Sequence, residues 1–178
     1  MNIWHDIDPK RITKDDFIAV IEIPKGSNKK YELDKEVGLL ILDRILYTST
    51  HYPANYGFIP KTYADDGDPL DVLVLSSEVL EPLSLVRCYP IGVVIMHDMG
   101  KLDEKIIAIP FNDPVYNNYH DISHLPNHVA SEIEHFFRVY KELEHNKETV
   151  VDTTKDKEDA KEIILKSIKT YNKYFKDK

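Results

Sequence analysis

The order of hydrophobic and polar positions divides the chain into a strand-rich first part and a helix-rich last part. Short apolar or β-branched runs that stop at Pro, Gly or charged residues are typical of β-strands. Five such runs cover residues 17–23, 37–42, 72–75, 85–96 and 106–109, and Pro90 and Gly92 interrupt the fourth. The segments between the runs are predicted to be loops, and they contain Gly26, Gly57, Gly67 and Gly100.

Two later stretches have the spacing of amphipathic helices. The first places apolar side chains on one face, with Asn127 after Pro126 as the expected cap, and the second forms a similar stripe. The two stripes are Val129, Ile133, Phe136, Phe137, Tyr140 and Leu143, and then Ala160, Ile163, Ile164, Ile168 and Tyr171. Strands followed by two helices predict an α+β fold, and many short strands favour a small barrel. The pattern alone leaves a barrel and a sandwich as alternatives.

Length and composition limit the classes of protein that fit. A chain of 178 residues predicts one domain, residues 1–178. The formal net charge of −8 argues against a general nucleic-acid binder, which needs a basic face, but an anionic substrate remains possible because bound cations reverse the local sign. Cys88 is the only cysteine, so no internal disulfide forms. No signal peptide and no membrane-length apolar run are seen, and a cytoplasmic location without a membrane partner is expected.

An acidic loop is the most informative segment: Asp65-Asp66-Gly67-Asp68-Pro69-Leu70-Asp71. Its four carboxylates repel one another unless water or a cation compensates them, so a solvated turn and a metal site are both possible. Pro69 and the strand that follows favour carboxylates held at the mouth of a strand. An EF-hand loop starting at Asp66 is excluded because Asp71 and Ser77 stand where Gly and Glu are needed. A haloacid-dehalogenase site is excluded because no hydrophobic strand precedes the loop.

Other candidate groups are dispersed along the chain. Asp98 and Asp103 lie in the predicted loop between residues 91–96 and 106–109. Basic and phenolic side chains occur at Lys30, Arg44, Tyr52, Tyr56, Lys105, Tyr140 and Lys141. Carboxylates for hard cations, combined with Lys, Arg and Tyr for phosphate oxygens, are what phosphoryl transfer requires.

Motifs in a fixed order carry a resemblance to a known family. The loop contains Asp66-Gly67-Asp68-Pro69-Leu70-Asp71-Val72, and the other segments are 21–24, 30–34, 43–44, 52–59, 87–92, 98, 103 with 105, 135–137 and 140–141. The chain resembles the soluble family I inorganic pyrophosphatases, of the compact bacterial and archaeal type. The ordered set spans roughly residues 17–145 and is far more specific than any one segment.

The resemblance implies a twisted five-stranded OB-type barrel flanked by two main helices, and hydrolysis of inorganic pyrophosphate with several Mg²⁺ ions. Asp68 would be the general base. The metal ligands would be Glu32, Asp66, Asp71, Asp98 and Asp103. The substrate ligands would be Lys30, Arg44, Tyr56, Lys105, Tyr140 and Lys141, with Glu22 and Tyr52 as supporting residues. The resemblance also implies a homo-oligomer, most simply a hexamer, with His135 on a helix suited to an interface.

The chain departs from the pattern of the family at two places. Met99 stands where many members carry an acid and receives no metal role, and the tail after Lys147 lacks a tryptophan-bearing segment of some bacterial members.

The proposed acids outnumber the proposed bases by three. Pyrophosphate adds a charge of about −3 to −4, so roughly three to four divalent cations would balance the occupied site. Magnesium suits a ligand set made only of oxygen.

Two other functions compete with this interpretation. An OB-type module that binds single-stranded nucleic acid would use the aromatic side chains as stacking platforms, but the acidic chain disfavours it. A zinc hydrolase would use His120, His124 and His128, but Pro126 interrupts the helix that their spacing suggests.

Overall fold

A sheet that closes on itself organises the chain. The computed structural model describes residues 1–145 and 147–176. The strands are β1 (Phe17–Ile23), β2 (Lys29–Leu33), β3 (Leu40–Ile45), β4 (Asn55–Ile59), β5 (Leu70–Val74), β6 (Leu85–Asp98), β7 (Lys101–Pro110) and β8 (Thr149–Asp156). The helices are α1 (Ile3–Asp6), α2 (Asn127–Val139) and α3 (Lys157–Tyr174), and 3-10 turns cover Pro9–Arg11 and Ile122–His124.

The closure is made by β1, which pairs with β4 on one side and with β6 on the other. The ring runs β1-β4-β5-β7-β6 and returns to β1, with β8 added outside β6 and β2–β3 as a separate hairpin. All ring pairings are antiparallel except that of β5 with β7. The predicted five-stranded barrel with two main helices is therefore confirmed, and closure removes the open edges that a sandwich would leave.

Strands of the ring are buried on both faces, which explains why the sequence reads as apolar runs instead of alternating patterns. In β5, Leu73 belongs to the apolar cluster that includes α2, whereas Val72 and Val74 belong to the cluster that includes α3. All seven residues of β1 are buried. The two helical stripes thus cover different apolar layers of one barrel.

Two segments whose glycine or proline residues suggest a break in the sequence lie within strands of the structure. The predicted loop position of Gly57 is wrong, because it lies in β4 where a Cβ atom would meet the Val20 carbonyl oxygen at 1.8 Å. The run interrupted by Pro90 and Gly92 is one strand of 14 residues, and its irregularity is a register shift in the pairing with β7. Gly and Pro mark a bulge here, not a strand end.

Strand limits and one helix cap differ from the sequence prediction. The run at 37–42 becomes a strand only from Leu40, because Gly38 has a φ of +77° and its N–H donates to the Asp34 carbonyl in a turn. The expected capping by Asn127 is wrong, since α2 begins at Asn127 and no side chain caps it. Leu143 lies beyond α2 and is 63% exposed.

The first residues of the chain pack beside the acidic loop. Trp4 is buried, and its indole N–H donates to the Thr62 carbonyl at 2.9 Å. Its ring lies edge-on to Phe175, beyond α3, and near Tyr63, so α1 and the end of α3 support the same side of the barrel. Within the described residues, no helix is both long and apolar enough to cross a membrane.

Candidate active site

A cavity of about 470 Å³ opens at one mouth of the barrel. Its walls come from the β2–β3 hairpin, the acidic loop, the β6–β7 hairpin and the end of α2. Thirteen of the fourteen site residues predicted from sequence line it: Glu22, Lys30, Glu32, Tyr52, Tyr56, Asp66, Asp68, Asp71, Asp98, Asp103, Lys105, Tyr140 and Lys141. Arg44 is the exception, although its cross-strand partner Lys30 lines the cavity.

Three carboxylates converge at the floor of the cavity. One oxygen from each of Asp66, Asp71 and Asp103 lies within 4.8 Å of the others. Parallel pairing of β5 with β7 sets Asp71 opposite Lys105, and Asp103 lies two residues earlier on the same face of β7. Asp66 enters from the acidic loop, where Gly67 has a φ of +84°, a backbone conformation that favours glycine.

The ammonium group of Lys105 lies among these carboxylates. It is 2.8 Å from Asp71 Oδ2 and 3.2 Å from Asp103 Oδ1, and it donates to the Tyr56 hydroxyl at 2.9 Å. Burial alone would lower the pKa of Lys105, but Asp103 and Asp71 raise it well above its ordinary value. Lys105 therefore remains charged and partly neutralises the cluster.

One lysine does not neutralise every acid on the floor. Burial, reinforced by the Asp71 carboxylate, raises the pKa of Asp66 to about 6. Burial likewise raises the pKa of Asp103 to about 6, although Lys105 acts in the opposite direction. The pKa of Glu22 rises to about 8, first through burial and then through Asp71, while its Oε1 accepts the Leu33 N–H at 2.7 Å. The cluster therefore carries more negative than positive charge even with Lys105, and its donor set fits one or more divalent cations.

Asp98 supplies a second acidic wall. Met99 and Gly100 both have positive φ and form the two-residue turn that joins β6 to β7, which fixes Asp98 at the end of its strand. Lys141 donates to Asp98 Oδ2 at 2.6 Å. Asp98 Oδ1 is buried, and no group in the described residues donates to it, so it is suited to a cation. The loop predicted for Asp98 and Asp103 is wrong, because both belong to strands.

Asp68 lies at the rim, and its side chain is about half exposed (51%). Its backbone N–H donates to Asp66 Oδ1 at 3.0 Å, which ties the two carboxylates together through the loop. The ammonium group of Lys35 contacts Asp68 Oδ1. Asp68 is thus near the floor carboxylates and open to solvent, as a proton acceptor for water must be.

Basic side chains approach from the β2–β3 hairpin. Lys30 lies 3.0 Å from Asp43 and 3.3 Å from Glu32. Arg44 contacts Asp43 through Nη1 and donates through Nε to Glu144 at 3.0 Å, and its Nη2 is buried without an acceptor in the described residues. Asp43 and Glu144 therefore hold the guanidinium group behind the cavity wall.

Three tyrosines complete the wall that faces Lys105. Burial raises the pKa of Tyr52, Tyr56 and Tyr140 above the ordinary value of a phenol. All three remain protonated near neutral pH and can donate hydrogen bonds.

Sequence reasoning gave no role to Lys35, Asp43 and Glu144. Asp43 adjoins Arg44 in the sequence, and this adjacency is a local signal that could have identified Asp43 as a partner of Arg44. Lys35 and Asp68 are 33 positions apart, and Arg44 and Glu144 are 100 positions apart, so no periodicity or motif connects them. Only the folded chain brings these pairs together.

The histidine alternative receives no support from the geometry. His120 and His124 interact locally, with the His120 backbone N–H 3.1 Å from His124 Nδ1. His128 lies on α2 beyond Pro126 and contacts Glu132 at 3.2 Å. Among the residues that the structure describes, the three aspartates are the one set of His, Cys, Asp or Glu that meets the criteria for a metal group.

A barrel whose mouth combines clustered carboxylates with Lys and Tyr donors defines a metal-dependent hydrolase of phosphate compounds. The profile of the family "inorganic pyrophosphatase" matches residues 19–172. This chain belongs to the inorganic pyrophosphatase family.

Individual relatives agree with that assignment. The chain is 49% identical to soluble inorganic pyrophosphatase 2 of Chlamydomonas reinhardtii, over 97% of this chain and 89% of the relative. It is 46% identical to the inorganic pyrophosphatase of Aquifex pyrophilus, over 96% and 97%. The solved inorganic pyrophosphatase of Helicobacter pylori superimposes with a TM-score of 0.87 at 46% identity, covering 89% of this chain and 95% of that one. These similarities support the OB-type fold as well as the family.

Proposed function

We propose that this chain hydrolyses inorganic pyrophosphate to two orthophosphates in the described cavity, with Mg²⁺ as its metal. The observation that carries the proposal is the convergence of Asp66, Asp71 and Asp103 within 4.8 Å around a buried lysine. Such a site holds cations for an anionic substrate and presents a fixed positive charge beside them.

The oxygen-only donor set supports magnesium as the cation. Asp66, Asp71 and Asp103 would hold the ions that serve the attacking water, and Glu32 and Asp98, again with Asp103, would hold those that accompany the substrate. When bound, these cations would neutralise phosphate charge and lower the pKa of water.

Protein side chains supply the remaining steps. Asp68 would accept the proton of the attacking water as that water approaches one phosphorus in line. Lys105 would stabilise charge on the phosphate oxygens, and Tyr56, which already accepts its hydrogen bond, would keep it in place. No covalent bond between enzyme and phosphate is needed.

Phosphate recognition would use the groups around the rim. Lys30, Arg44, Tyr140 and Lys141 would contact phosphate oxygens, and Glu22 and Tyr52 would support the floor. Arg44 must reach the substrate from behind the wall, so its contact would follow a change in its pairing with Asp43 or Glu144.

Substrate selectivity tests the proposal. We expect magnesium-supported phosphate release from pyrophosphate to be much faster than from ATP or p-nitrophenyl phosphate, because cationic groups on opposite walls suit two adjacent phosphoryl groups. Equal or faster hydrolysis of either organic phosphate would contradict the proposal.

Calcium is expected to bind this cavity and inhibit the magnesium-supported reaction. Magnesium prefers six oxygen ligands at about 2.0–2.1 Å, whereas calcium takes six to eight at about 2.3–2.6 Å. The longer bonds would displace the attacking water, and a shift on the order of 1 Å can cost roughly 10²-fold in rate. Calorimetry should detect calcium binding, and titration into the magnesium assay should show competition. Full turnover with calcium alone would contradict this expectation.

We also propose a homohexamer. Support comes from the family membership and from His135, which is exposed on α2 and available for an interface. Light scattering at micromolar protein should give about six times the chain mass of 20.7 kDa. A mass of one chain would refute the assembly.

Two further proposals concern organisation. Residues 1–178, of which 146, 177 and 178 lie outside the described part, would form a single domain that unfolds in one calorimetric transition, since α1, α3 and the barrel share apolar contacts. The protein would act in the cytoplasm. Two separate transitions, or recovery in another cell fraction, would contradict these proposals.

A further inference from the structure

The contact between Lys35 and Asp68 presents a conflict with the proposed chemistry. The Lys35 ammonium group contacts Asp68 Oδ1. A base that accepts a proton from water needs an available oxygen, and the Lys35 ammonium group covers one of the two oxygens of Asp68. The contact is therefore better suited to a resting state than to turnover.

The backbone of Lys35 is anchored by a hydrogen bond, whereas its side chain is about half exposed. Asn2 Nδ2 donates to the Lys35 carbonyl at 2.6 Å. The Lys35 ammonium group lies 5.6 Å from the centre of the Trp4 ring, and Trp4 is fixed by its hydrogen bond to Thr62. The side chains of Lys35 and Asp68 are 46% and 51% exposed, so solvent screens their ion pair and makes it weak.

The position of Lys35 also gives it access to substrate. Lys35 lines the same cavity as Lys30, Lys105 and Lys141. These four lysines face eight lining carboxylates: Glu22, Glu32, Asp34, Asp66, Asp68, Asp71, Asp98 and Asp103. Bound cations would compensate the carboxylates, and the phosphate oxygens would then offer Lys35 a stronger partner than a screened aspartate.

We propose that Lys35 is a substrate-binding residue that exchanges partners. In the free enzyme it neutralises Asp68, and in the complex it donates to a phosphate oxygen, which releases Asp68 to accept the proton of water. This inference rests on the proposed pyrophosphate hydrolysis. Through Lys35, the β2–β3 hairpin would thus couple substrate binding to the release of Asp68.

Steady-state kinetics with magnesium pyrophosphate tests the exchange. We expect Lys35→Met to raise KM about tenfold, as loss of a charge-assisted hydrogen bond should, while kcat changes less than about threefold. Lys35→Arg should keep KM within about threefold because it restores a cationic donor. The matched control is Lys166→Met, since Lys166 pairs with Asp65 of the same loop at 3.2 Å but does not line the cavity.

Each alternative result has a defined meaning. Unchanged KM in Lys35→Met, or an equal rise in Lys166→Met, would overturn the proposal. A fall in kcat with constant KM would also overturn it, because Lys35 would then act only through Asp68. An inactive wild-type enzyme would instead reject pyrophosphate hydrolysis itself.

Fluorescence gives a second test that does not require turnover. Trp4 is the only tryptophan in the chain, and Lys35 approaches its ring. Magnesium with imidodiphosphate, a non-hydrolysable analogue, should change Trp4 emission in the wild type but not in Lys35→Met. The same change in both proteins, or none in the wild type, would contradict the exchange of partners.

Discussion

Replacement of Asp68 by Asn is expected to lower kcat for pyrophosphate by about 10² to 10⁴, the usual cost of losing a general base. The amide keeps the shape of the side chain but does not accept a proton from water at neutral pH. Because Asp68 is half exposed at the rim, folding should change little, and the variant should still bind magnesium pyrophosphate. Steady-state kinetics and calorimetry measure the two effects separately.

Asp65→Asn is the matched control for this substitution. Asp65 belongs to the same acidic loop, but it pairs with Lys166 and does not line the cavity. It should retain nearly full activity. A loss of less than tenfold in Asp68→Asn, or an equal loss in the control, would remove Asp68 from the role of base.

Lys105→Met should impair both stability and catalysis. Its removal leaves Asp71 and Asp103 close together without their internal cation. Breaking such a buried pair costs about 3 kcal/mol, or roughly 10 °C in Tm for a domain of this size. Loss of a positive charge beside the reacting phosphate should also reduce kcat by about 10²-fold or more.

Magnesium distinguishes an electrostatic cause from a packing defect in this variant. Added Mg²⁺ should raise the Tm of Lys105→Met more than that of the wild type, because the cation compensates the exposed carboxylate charge. Lys101→Met, a change at an exposed position of the same strand, should have little effect. A Tm deficit that magnesium leaves unchanged would contradict the electrostatic explanation.

The sequence predicted the chemistry of this protein better than its strand limits. Ordered motifs placed thirteen residues in one cavity because local spacing is retained when a strand folds: Asp103 and Lys105 share a face of β7 wherever that strand lies. The hydrophobic pattern missed β2, β4 and β8. The residues of β2 and β8 are mostly polar or exposed, whereas β4 is fully buried but short and contains Gly57, which the sequence prediction assigned to a loop. Their pairing partners, not their own composition, make them strands.

Contacts between segments that are far apart in the chain account for the rest of what the sequence did not predict. The partners of Asp68 and Arg44 come from segments 33 and 100 positions away. Barrel closure by β1 depends on pairings with both β4 and β6, and the hydrophobic pattern of one segment does not reveal which segments it pairs with. Closure also buries both faces of the ring strands, which removed the alternation that would have identified a barrel.

Phosphate release from pyrophosphate by the purified chain of residues 1–178 is the most direct test of the central claim, with magnesium as the only divalent cation and with excess chelator as the comparison. We expect two phosphates for each pyrophosphate consumed, and a return to the background rate when the chelator removes the metal. No release with magnesium, or release that the chelator does not change, would contradict the assignment of metal-dependent pyrophosphate hydrolysis to this cavity.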